Sequence, residues 1–517
     1  MRKIWILCAV ILPILAAGSN PYEDGRRFNY KLPVNKVLFD HWDRNGITPP
    51  RHVSDSVFLR RVTLTLAGRL PTASEVRAFL SDRSPDKRAV MIEKILNSPD
   101  YADMQAMRFA AMLRIKSEFP INLWPNAVQL WHRVLHEELG RDRSLREMFY
   151  EMLTASGSNF RVAHANFFRA SADRSPAGLA SMVMLTCMGM KMERLPEAHQ
   201  QGFAQFFSRI RYKSTYEWKE QIVYTDFTPA VVHGILPNGL QVNFSAPGTE
   251  PRVVFADWLL AEKNPYFARA WVNRVWSWVF GSGLSPDADD LPQLGGKDTR
   301  NAPVLPAVEK LLMAEFVKSG YSLRHLYRVI LNSAAFQASS IGAGRVQRKN
   351  FAAYPIRRLE AEVVVDALAA VTGQYDQYMS VIPEPFTFLP QKTKAVTIAD
   401  GSISSGVLDN FGRPPRDSGK LAERNTASAD SQNLYLMNST ALDKRISSYC
   451  RRLSRQHRKQ NDRLNRIYLD ILSRFPTAKE RQIFENYQKS LAPKERYRVW
   501  NDTVWVLFNS KEFLFHH

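Results

Sequence analysis

The sequence predicts a mainly α fold of two helical domains, with a short β-ribbon linker between them and a helical hairpin that recurs at the N- and C-terminal ends. Three observations predict it. Apolar residues recur at helical spacing through most of the 517-residue chain, the stretch 213–250 contains β-type runs instead, and an ungapped internal repeat links the two ends. One hydrophobic core rarely serves a chain of this length, so we expect two domains or one large elongated helical body.

Residues 1–18 have the pattern of a secretory signal peptide. Arg2 and Lys3 precede an apolar run over 4–15, and small residues follow the run. The run is shorter than the roughly 20 residues of a membrane-spanning helix, and Cys8 lies inside it rather than after a cleavage site. We therefore expect a periplasmic or secreted protein without an integral membrane span.

Helical patterns on both sides of the β-type stretch indicate the domain boundaries. An N-terminal helical domain is predicted over 35–212 and a C-terminal one over 251–455, with the linker 213–250 between them. The sequence Leu-Pro-Asn-Gly at 236–239 lies between two short β-type runs, which is typical of a hairpin. The region 375–430 has few periodic stretches and is predicted to be a long loop.

The stretch 264–281 predicts one well-defined helix at the centre of the C-terminal domain. Asn264 is a favourable N-cap, Pro265 suits the first helical position, and Gly281 supplies the stop. Apolar side chains lie almost all round the helix between these ends, so we expect it to be buried in a core.

The two ends of the chain carry the same helical hairpin. Residues 463–484 match 58–79 at nine of 22 positions without a gap, and both copies contain the capping pattern Pro-Thr-Ala-x-Glu. We therefore predict that a C-terminal hairpin over 456–517 repeats 58–101, and that each copy ends at an Asn-Ser turn. Duplicated hairpins tend to be scaffolding. The repeated charged residues are accordingly expected to form structural ion pairs: Arg61, Glu75, Arg466 and Glu480.

Charged and polar residues cluster around the central helix. As an active site, the cluster offers carboxylates for acid–base chemistry beside guanidinium groups for an anionic substrate. As structure, it is a buried charge network that fixes the helix. We favour the second interpretation because helix-borne arginine facing nearby aspartate is usually satisfied internally. The candidate residues are Arg269, Asn273, Arg274, Asp289 and Asp290, with Asp287, Arg357, Arg358 and Glu362 as further members.

A net charge of +20 makes polyanions candidate partners. Nine lysines or arginines and one acid occur within 444–466. For an exported protein, sulfated or uronic glycans, lipopolysaccharide and anionic lipids are nearer partners than nucleic acid. A solvated helix face without a dedicated ligand is the alternative. The predicted polyanion-binding residues are Lys444, Arg445, Arg451, Arg452, Arg455, Arg458 and Lys459.

Several long motifs carry a family resemblance. They are the stretches 58–80, 96–101, 264–290, 315–340, 354–368 and 411–416. Together they resemble the paired domains of unknown function 1549 and 1553 in secreted proteins of planctomycetes and their relatives. The first domain corresponds to 35–212 and the second to 251–455. The family lacks an established biochemical function, and the resemblance implies sulfatase-like secreted proteins as a partner class.

The resemblance also implies a haem-attachment motif, Cys-x-x-Cys-His, which many family members carry. In this chain the first cysteine is Cys187, but Met190 and Lys191 occupy the places of the second cysteine and the histidine. A Cys-x-Cys pair of the family is likewise replaced by Lys420 and Ala422. One thioether without a proximal histidine is a poor haem site, so we predict no covalent haem and no other cofactor.

The chain lacks the sequence motifs of several common enzyme classes, including the Gly-x-Ser-x-Gly elbow, the His-Glu-x-x-His motif and the Walker loop. His132 and His136 have a zinc-compatible spacing but no third ligand, so no metal site is predicted. Cys187 and Cys450 form either one disulfide or two free buried thiols. We favour a non-catalytic binding or scaffold protein that engages polyanionic glycan or a partner protein, with an enzyme acting on anionic polysaccharide as the alternative.

Overall fold

In the computed structural model, the described residues are 20–228, 233–246, 248–296 and 299–517. Twenty-two α-helices lie within them, and the strands are few and short, so the predicted mainly α class is confirmed. The predicted signal peptide, residues 1–18, lies outside the described residues. No helix in the described part of the chain is both long enough and apolar enough to cross a membrane.

The helices are spread along the whole described chain. The first nine are α1 Pro33–Arg44, α2 Asp55–Ala67, α3 Ala73–Ser81, α4 Lys87–Leu96, α5 Pro99–Met112, α6 Pro125–Gly140, α7 Leu145–Thr154, α8 Pro176–Val183 and α9 Glu197–Ala204. The next seven are α10 Pro251–Leu259, α11 Pro265–Phe280, α12 Pro306–Lys318, α13 Leu323–Leu331, α14 Arg345–Lys349, α15 Ala361–Thr372 and α16 Gly406–Asn410. The last six are α17 Asp430–Asn438, α18 Thr440–Gln456, α19 Gln460–Leu472, α20 Ala478–Ser490, α21 Arg498–Phe508 and α22 Lys511–Leu514.

Several single turns have other helical forms. A π-helical turn, Met184–Met188, continues α8. The 3-10 helices are Ala163–Phe168, Met192–Arg194, Gln205–Phe207, Ala395–Thr397, Leu421–Glu423 and Pro493–Glu495.

The strands are antiparallel and pair into small sheets. They are β1 Glu23–Asp24, β2 His52–Val53, β3 Gly157–Ser158, β4 Ile210–Ser214, β5 Gln221–Thr225, β6 His233–Ile235, β7 Gln241–Asn243, β8 Arg357–Arg358 and β9 Phe515–His516. Strand β1 pairs with β2, β6 with β7 and β8 with β9, while the three-stranded sheet has the order β3-β5-β4. The predicted hairpin at 236–239 is confirmed, since it joins β6 to β7 with Gly239 N donating to Leu236 O over 2.8 Å.

Helix α11 is the buried centre that the sequence predicts. Asn264 Oδ1 accepts the N–H of Tyr266 over 3.0 Å, and Gly281 ends the helix in the left-handed conformation at φ +83°. Trp271 and Trp276 on opposite faces of the helix are both 0 % exposed. Truncation of a buried aromatic side chain of this size typically costs about 3–5 kcal/mol, so this helix contributes much of the core.

Two clusters of buried apolar residues form the core. The first runs through residues 34–354, and the second through residues 359–514 with four members from α2 and α5 and their flanks. The first cluster therefore spans the predicted linker, and α10 to α13 share one core with the N-terminal helices. The boundaries of the predicted domains therefore do not coincide with the boundary between the two core clusters.

Both copies of the repeated hairpin have the predicted capping box. Thr72 accepts the N–H of Glu75 over 3.2 Å, and Glu75 accepts the N–H of Thr72 over 2.7 Å. Thr477 and Glu480 repeat these two bonds at 3.2 and 2.7 Å. The two helices, α3 and α20, therefore begin through the same local chemistry.

The repeated ion pairs use an arginine other than the predicted one. Arg69 lies 2.9 Å from Glu75, and Arg474 lies 2.7 Å from Glu480. Arg61, by contrast, donates to backbone carbonyl groups such as that of Ala338, at 3.0 Å. The prediction for Glu75 and Glu480 is confirmed, and so is that for Arg466, which lies 2.8 Å from Asp470. The prediction for Arg61 is wrong because its side chain enters the core instead.

The long loop predicted over 375–430 contains more regular structure than expected. It includes α16 and two 3-10 helices, and Gly401 N donates to Ile115 O over 2.9 Å. Asp400 and Arg416 in this region are each 1 % exposed. Much of the segment is therefore packed against the N-terminal helices.

Candidate functional site

Two members of the candidate cluster, Arg269 and Asn273, bind the backbone of the segment that follows α11. Arg269 Nη1 donates to the carbonyl oxygen of Pro292 over 2.7 Å, and its Nε lies 3.5 Å from Glu309 Oε1. Asn273 exchanges two hydrogen bonds with the backbone of Ser285, at 3.1 and 2.8 Å. Arg269 is 6 % exposed and Asn273 is 0 % exposed, so both side chains serve internal contacts.

Arg274 contacts a different part of the molecule. Its Nη1 donates to Thr186 O over 2.8 Å, and its Nη2 donates to Leu185 O over 3.2 Å. These carbonyl groups belong to the π-helical turn that contains Cys187. Because the carbonyl end of a helix carries partial negative charge, the guanidinium stabilises that end of α8.

The two aspartates of the cluster have their hydrogen-bond partners outside α11, although Asp289 also interacts electrostatically with Arg274. Asp289 Oδ2 accepts the N–H of Leu421 over 2.7 Å, and burial raises the pKa of Asp289. Asp290 accepts a bond from Arg194 Nε at 2.8 Å and lies 3.1 Å from Lys191 Nζ. The hydrogen bond from Arg194 lowers the pKa of Asp290. The ion-pair partners of Asp290 are therefore Arg194 and Lys191, and not the arginines of α11 that the sequence suggests.

The further members of the cluster are also engaged elsewhere. Arg357 and Arg358 form the short strand β8. Glu362 accepts a hydrogen bond from Arg424 Nη2 at 3.1 Å and lies 3.8 Å from Arg413 Nε. With Glu362 only 1 % exposed, the candidate residues do not converge on one open site. The geometry favours the structural interpretation of the cluster.

The segment that resembles a haem motif does not fit a covalently attached haem. Cys187 is 0 % exposed, and burial raises the pKa of its thiol to about 12. Lys191, in the place of the histidine ligand, contacts Asp290. A Cβ at Gly189 would lie only 2.9 Å from the carbonyl oxygen of Ala288, so the backbone is closely packed beside the motif. The second cysteine and the proximal histidine that the motif requires are replaced at these positions, and the neighbouring backbone is closely packed.

Both departures from the family pattern lie against one short segment, which joins Asp289 to Leu291. Leu291 N donates to Gly189 O over 2.8 Å, next to the altered haem motif. Asp289 accepts N–H groups from the turn that carries Lys420 and Ala422. The positions at which the resemblance implies cysteine therefore lie close together in the fold. In this chain, Asp289 and Asp290 contact residues at or next to these positions.

The two cysteines of the described chain are free and buried, so they form no disulfide. Burial raises the pKa of both Cys187 and Cys450 to about 12. Nucleophilic and metal-binding cysteines act as thiolates, so neither thiol has the environment of a reactive group.

The two histidines with zinc-compatible spacing have unlike environments. His136 Nε2 lies 3.0 Å from Asp103 Oδ1, and this hydrogen bond raises the pKa of His136. Burial lowers the pKa of His132 to about 3. The two histidines therefore lie in different environments, one hydrogen-bonded to an aspartate and the other buried.

One other group of side chains has metal-binding geometry. The ligand atoms of Glu138, Glu151 and His164 lie within 4.8 Å of one another. Arg143 already donates to both glutamates, with its Nη1 3.1 Å from Glu151 Oε2. Because the guanidinium already binds both carboxylates, the arrangement favours a structural ion cluster.

The predicted polyanion-binding residues lie on and just after α18. Leu442, Ile446 and Leu453 bury one face of this helix against the second core cluster. Residues 444, 451 and 455 are separated by seven and four positions, so they share the opposite face. Lys444, Arg451, Arg455, Arg458 and Lys459 are all exposed, and in the described structure no hydrogen bond or ion pair occupies their charged groups. We call these five residues the basic face.

The charged groups of the other two predicted residues already have partners. Arg452 donates to the carbonyl oxygens of Thr372 and Val371, at 2.9 and 3.0 Å, at the C-terminal end of α15. Arg445 forms an ion pair with Asp376. Both guanidinium groups therefore stabilise the contact between α18 and α15, and five of the seven predicted residues remain available to a ligand.

Some structural partners were absent from the sequence prediction. Arg194 and Arg424, which hold Asp290 and Glu362, lie far from them along the chain. The sequence also did not single out Trp218, which is 68 % exposed. Its only signal was its place beside Lys219, just before the first of the β-type runs.

Two family models match the chain. The model described as "PSCyt2: Protein of unknown function (DUF1549)" matches residues 33–200. The model described as "PSD1: Protein of unknown function (DUF1553)" matches residues 251–488. The second match begins where the C-terminal domain is predicted to begin and extends through most of α20. No curated protein and no solved structure matches the chain.

Proposed function

We propose that this chain, which belongs to the family that pairs the domains of unknown function 1549 and 1553, is a non-catalytic binding or scaffold protein that engages polyanionic glycan. The basic face of α18 is the observation that carries this function. We assign the protein to the periplasm or the secreted fraction because residues 1–18 have a signal-peptide pattern. It has diverged from haem-bearing relatives in the altered motif at Cys187.

The geometry of the basic face suits an extended polyanion. Lys444 and Arg455 are eleven residues apart on one helix, a distance of about 16 Å along its axis. Each cation near a densely anionic surface contributes about 1 kcal/mol, and screening by salt weakens it. A ligand with regularly repeated charges contacts several of these residues at once, whereas a small anion contacts one.

Retention on heparin across a salt gradient tests the function. The variant Lys444→Gln, Arg451→Gln, Arg455→Gln removes the aligned charges, which face solvent, so folding is unaffected. We expect its affinity for heparin at low salt to fall about 100-fold, since three contacts of about 1 kcal/mol each are lost. Elution from the column should move to lower salt concentration.

A matched control separates a dedicated face from net charge. Arg345, Arg348 and Lys349 are exposed cations on α14, and their replacement by Gln changes the net charge by the same amount. We expect this variant to elute near the wild type. Equal losses in the two variants would show that overall charge alone drives retention, and that no dedicated face exists.

A partner protein is the alternative ligand of the basic face. The resemblance suggests a sulfatase-like secreted protein for this role. Pull-down with the full mature chain and with the α18 variant distinguishes the two occupants. Capture of such a protein by the wild type alone, without heparin retention, would favour protein partnership over glycan binding.

The alternative function is an enzyme that acts on anionic polysaccharide through the Arg/Asp cluster, and two substitutions test it. Asp290→Ala removes the carboxylate that binds both Arg194 and Lys191, and both cations are partly exposed, so we expect a loss of about 1–2 kcal/mol in the free energy of unfolding. Asp289→Ala leaves the Leu421 N–H without its acceptor, which costs about 1–3 kcal/mol. Denaturant unfolding measures both losses.

Asp289→Asn is the control, because its amide oxygen still accepts one N–H bond. We expect this variant to retain most of the stability that alanine loses. If the alanine variants kept wild-type stability but lost a polysaccharide-cleaving activity of the wild type, the aspartates would be catalytic and the binding-protein function would be wrong.

A further inference from the structure

A groove on the surface of α6 has the composition of a sugar-binding site. It encloses about 610 Å³ between α6, the segment that follows α7, the β4–β5 turn and the loop near residue 386. Its lining includes Asn126, Gln129, Arg133, Phe160, Arg161 and Phe386. Neither α18 nor the Arg/Asp cluster contributes to this lining, so the groove is separate from the surfaces described above.

Three aromatic side chains lie together beside one end of the groove, and one of them, Phe386, lines it. The ring centroid of Trp124 lies 5.4 Å from that of Phe386 and 6.5 Å from that of Trp218. Trp218 is 68 % exposed and Phe386 is 48 % exposed, so both rings are open to a ligand. Flat aromatic surfaces of this kind stack well on the apolar face of a sugar ring, as they do on other ring systems.

Polar side chains follow the floor of the same groove. Asn126, Gln129 and Arg133 are spaced by three and four residues on α6, so they project from one face of the helix. All three are exposed, and within the described chain their side chains form no hydrogen bond or ion pair. Two amides and a guanidinium supply the donors and acceptors that hydroxyl groups and one anionic group require.

The charges around the groove favour an anion. Arg133 has no acidic partner within the described residues, while Arg161 lies 3.9 Å from Glu217 at the rim. Lys219 Nζ lies 5.5 and 5.3 Å from the ring centroids of Trp124 and Trp218, which places a further positive charge on the aromatic end. Arg161 also lies 3.6 Å from Glu220, and three cations against these two glutamates leave the groove with a net positive charge.

We propose that this groove binds an anionic sugar residue, a pyranose ring that carries a carboxylate or a sulfate ester. The ring stacks on Trp218 and its neighbours, the amides of α6 bind its hydroxyl groups, and Arg133 binds its anionic group. This inference rests on the proposed function and deepens it, because it adds a site that recognises individual sugar residues to a face that recognises repeated charge.

Calorimetric titration of the full mature chain with short sugars tests the site. The probes are trigalacturonic acid, a sulfated galactose oligosaccharide from carrageenan, and neutral galactotriose. We expect one of the two anionic sugars to bind and the neutral one to bind at least tenfold more weakly. The anionic sugar that binds identifies whether the carboxylate or the sulfate is the recognised group.

Two variants place the binding in the groove. Trp218→Ala removes an exposed ring, and Arg133→Gln removes the anion-binding group at little change in length. We expect each to weaken binding of the anionic sugar about tenfold. Tyr497→Ala, which removes a ring of similar exposure at 69 %, should have no effect.

The outcomes separate the groove from the basic face. Absence of binding by both anionic sugars, equal binding of galactotriose, or unchanged affinity in Trp218→Ala and Arg133→Gln would overturn the groove site. If heparin retention still depended on α18 in that case, the proposed function would stand without the groove. Loss of the α18 dependence alone would overturn the function of the basic face.

Discussion

Replacement of Glu362 by alanine is expected to lower the free energy of unfolding by about 3–5 kcal/mol, as does removal of one partner of other buried ion pairs. Glu362 is 1 % exposed and accepts two hydrogen bonds from Arg424, while Arg413 lies 3.8 Å away and is itself 2 % exposed in its side chain. The substitution leaves two guanidinium groups in the protein interior without a carboxylate. Urea unfolding monitored by tryptophan fluorescence measures the loss.

Two controls show whether the charge is responsible. Glu362→Gln retains the side-chain volume and one acceptor oxygen, so we expect it to lose less stability than the alanine variant. Glu485→Ala removes an exposed glutamate from α20 and should change stability by no more than about 0.5 kcal/mol. If Glu362→Ala were as stable as the wild type, the charge network around α15 would have no structural role.

The elements that sequence predicts well here depend on neighbouring residues in the chain. The ends of α11 follow from Asn264, Pro265 and Gly281, which act within one helical turn of their position. The capping boxes that begin at Thr72 and Thr477 span four residues each. Such interactions have the same partners in any fold that contains the segment, so they can be identified before the fold is known.

The partners of the buried charges depend on the tertiary fold. Asp290 meets Arg194 across 96 residues, and Asp289 meets Leu421 across 132 residues. The sequence placed the arginines of α11 beside these aspartates because they are close along the chain. In the fold those arginines bind backbone carbonyl groups and Glu309, since α11 is packed on all sides.

Prediction from the sequence has the same limit for the basic face and for the groove. A helical repeat of cations indicated the basic face, but only the tertiary fold decides that Arg445 pairs with Asp376 and that Arg452 binds backbone carbonyl groups at the end of α15. The rings of the groove come from three distant segments, with Trp124 before α6, Trp218 in a turn and Phe386 in a long loop. Local sequence patterns contain no information about such a convergence.

The repeated hairpin offers a matched pair of substitutions, of which Arg474→Ala is expected to lower the free energy of unfolding by about 3–5 kcal/mol. Arg474 lies 2.7 Å from both Glu480 and Glu512, and its side chain is 6 % exposed. Burial alone would lower the pKa of Arg474, but the hydrogen bonds to the two glutamates raise it above its ordinary value. Removal of the guanidinium therefore leaves two poorly solvated carboxylates close together.

Arg69 occupies the equivalent position in the first copy and serves as the control. It contacts Glu75 and Asp100 with the same geometry, but its side chain is 28 % exposed. Water can replace part of the lost interaction there, so we expect Arg69→Ala to cost about 1–2 kcal/mol. Urea unfolding of both variants measures the difference. Equal losses would show that the repeated contact itself, and not its burial, determines the loss in the free energy of unfolding. A larger loss at Arg474 would show that stability depends more strongly on the C-terminal copy of the hairpin.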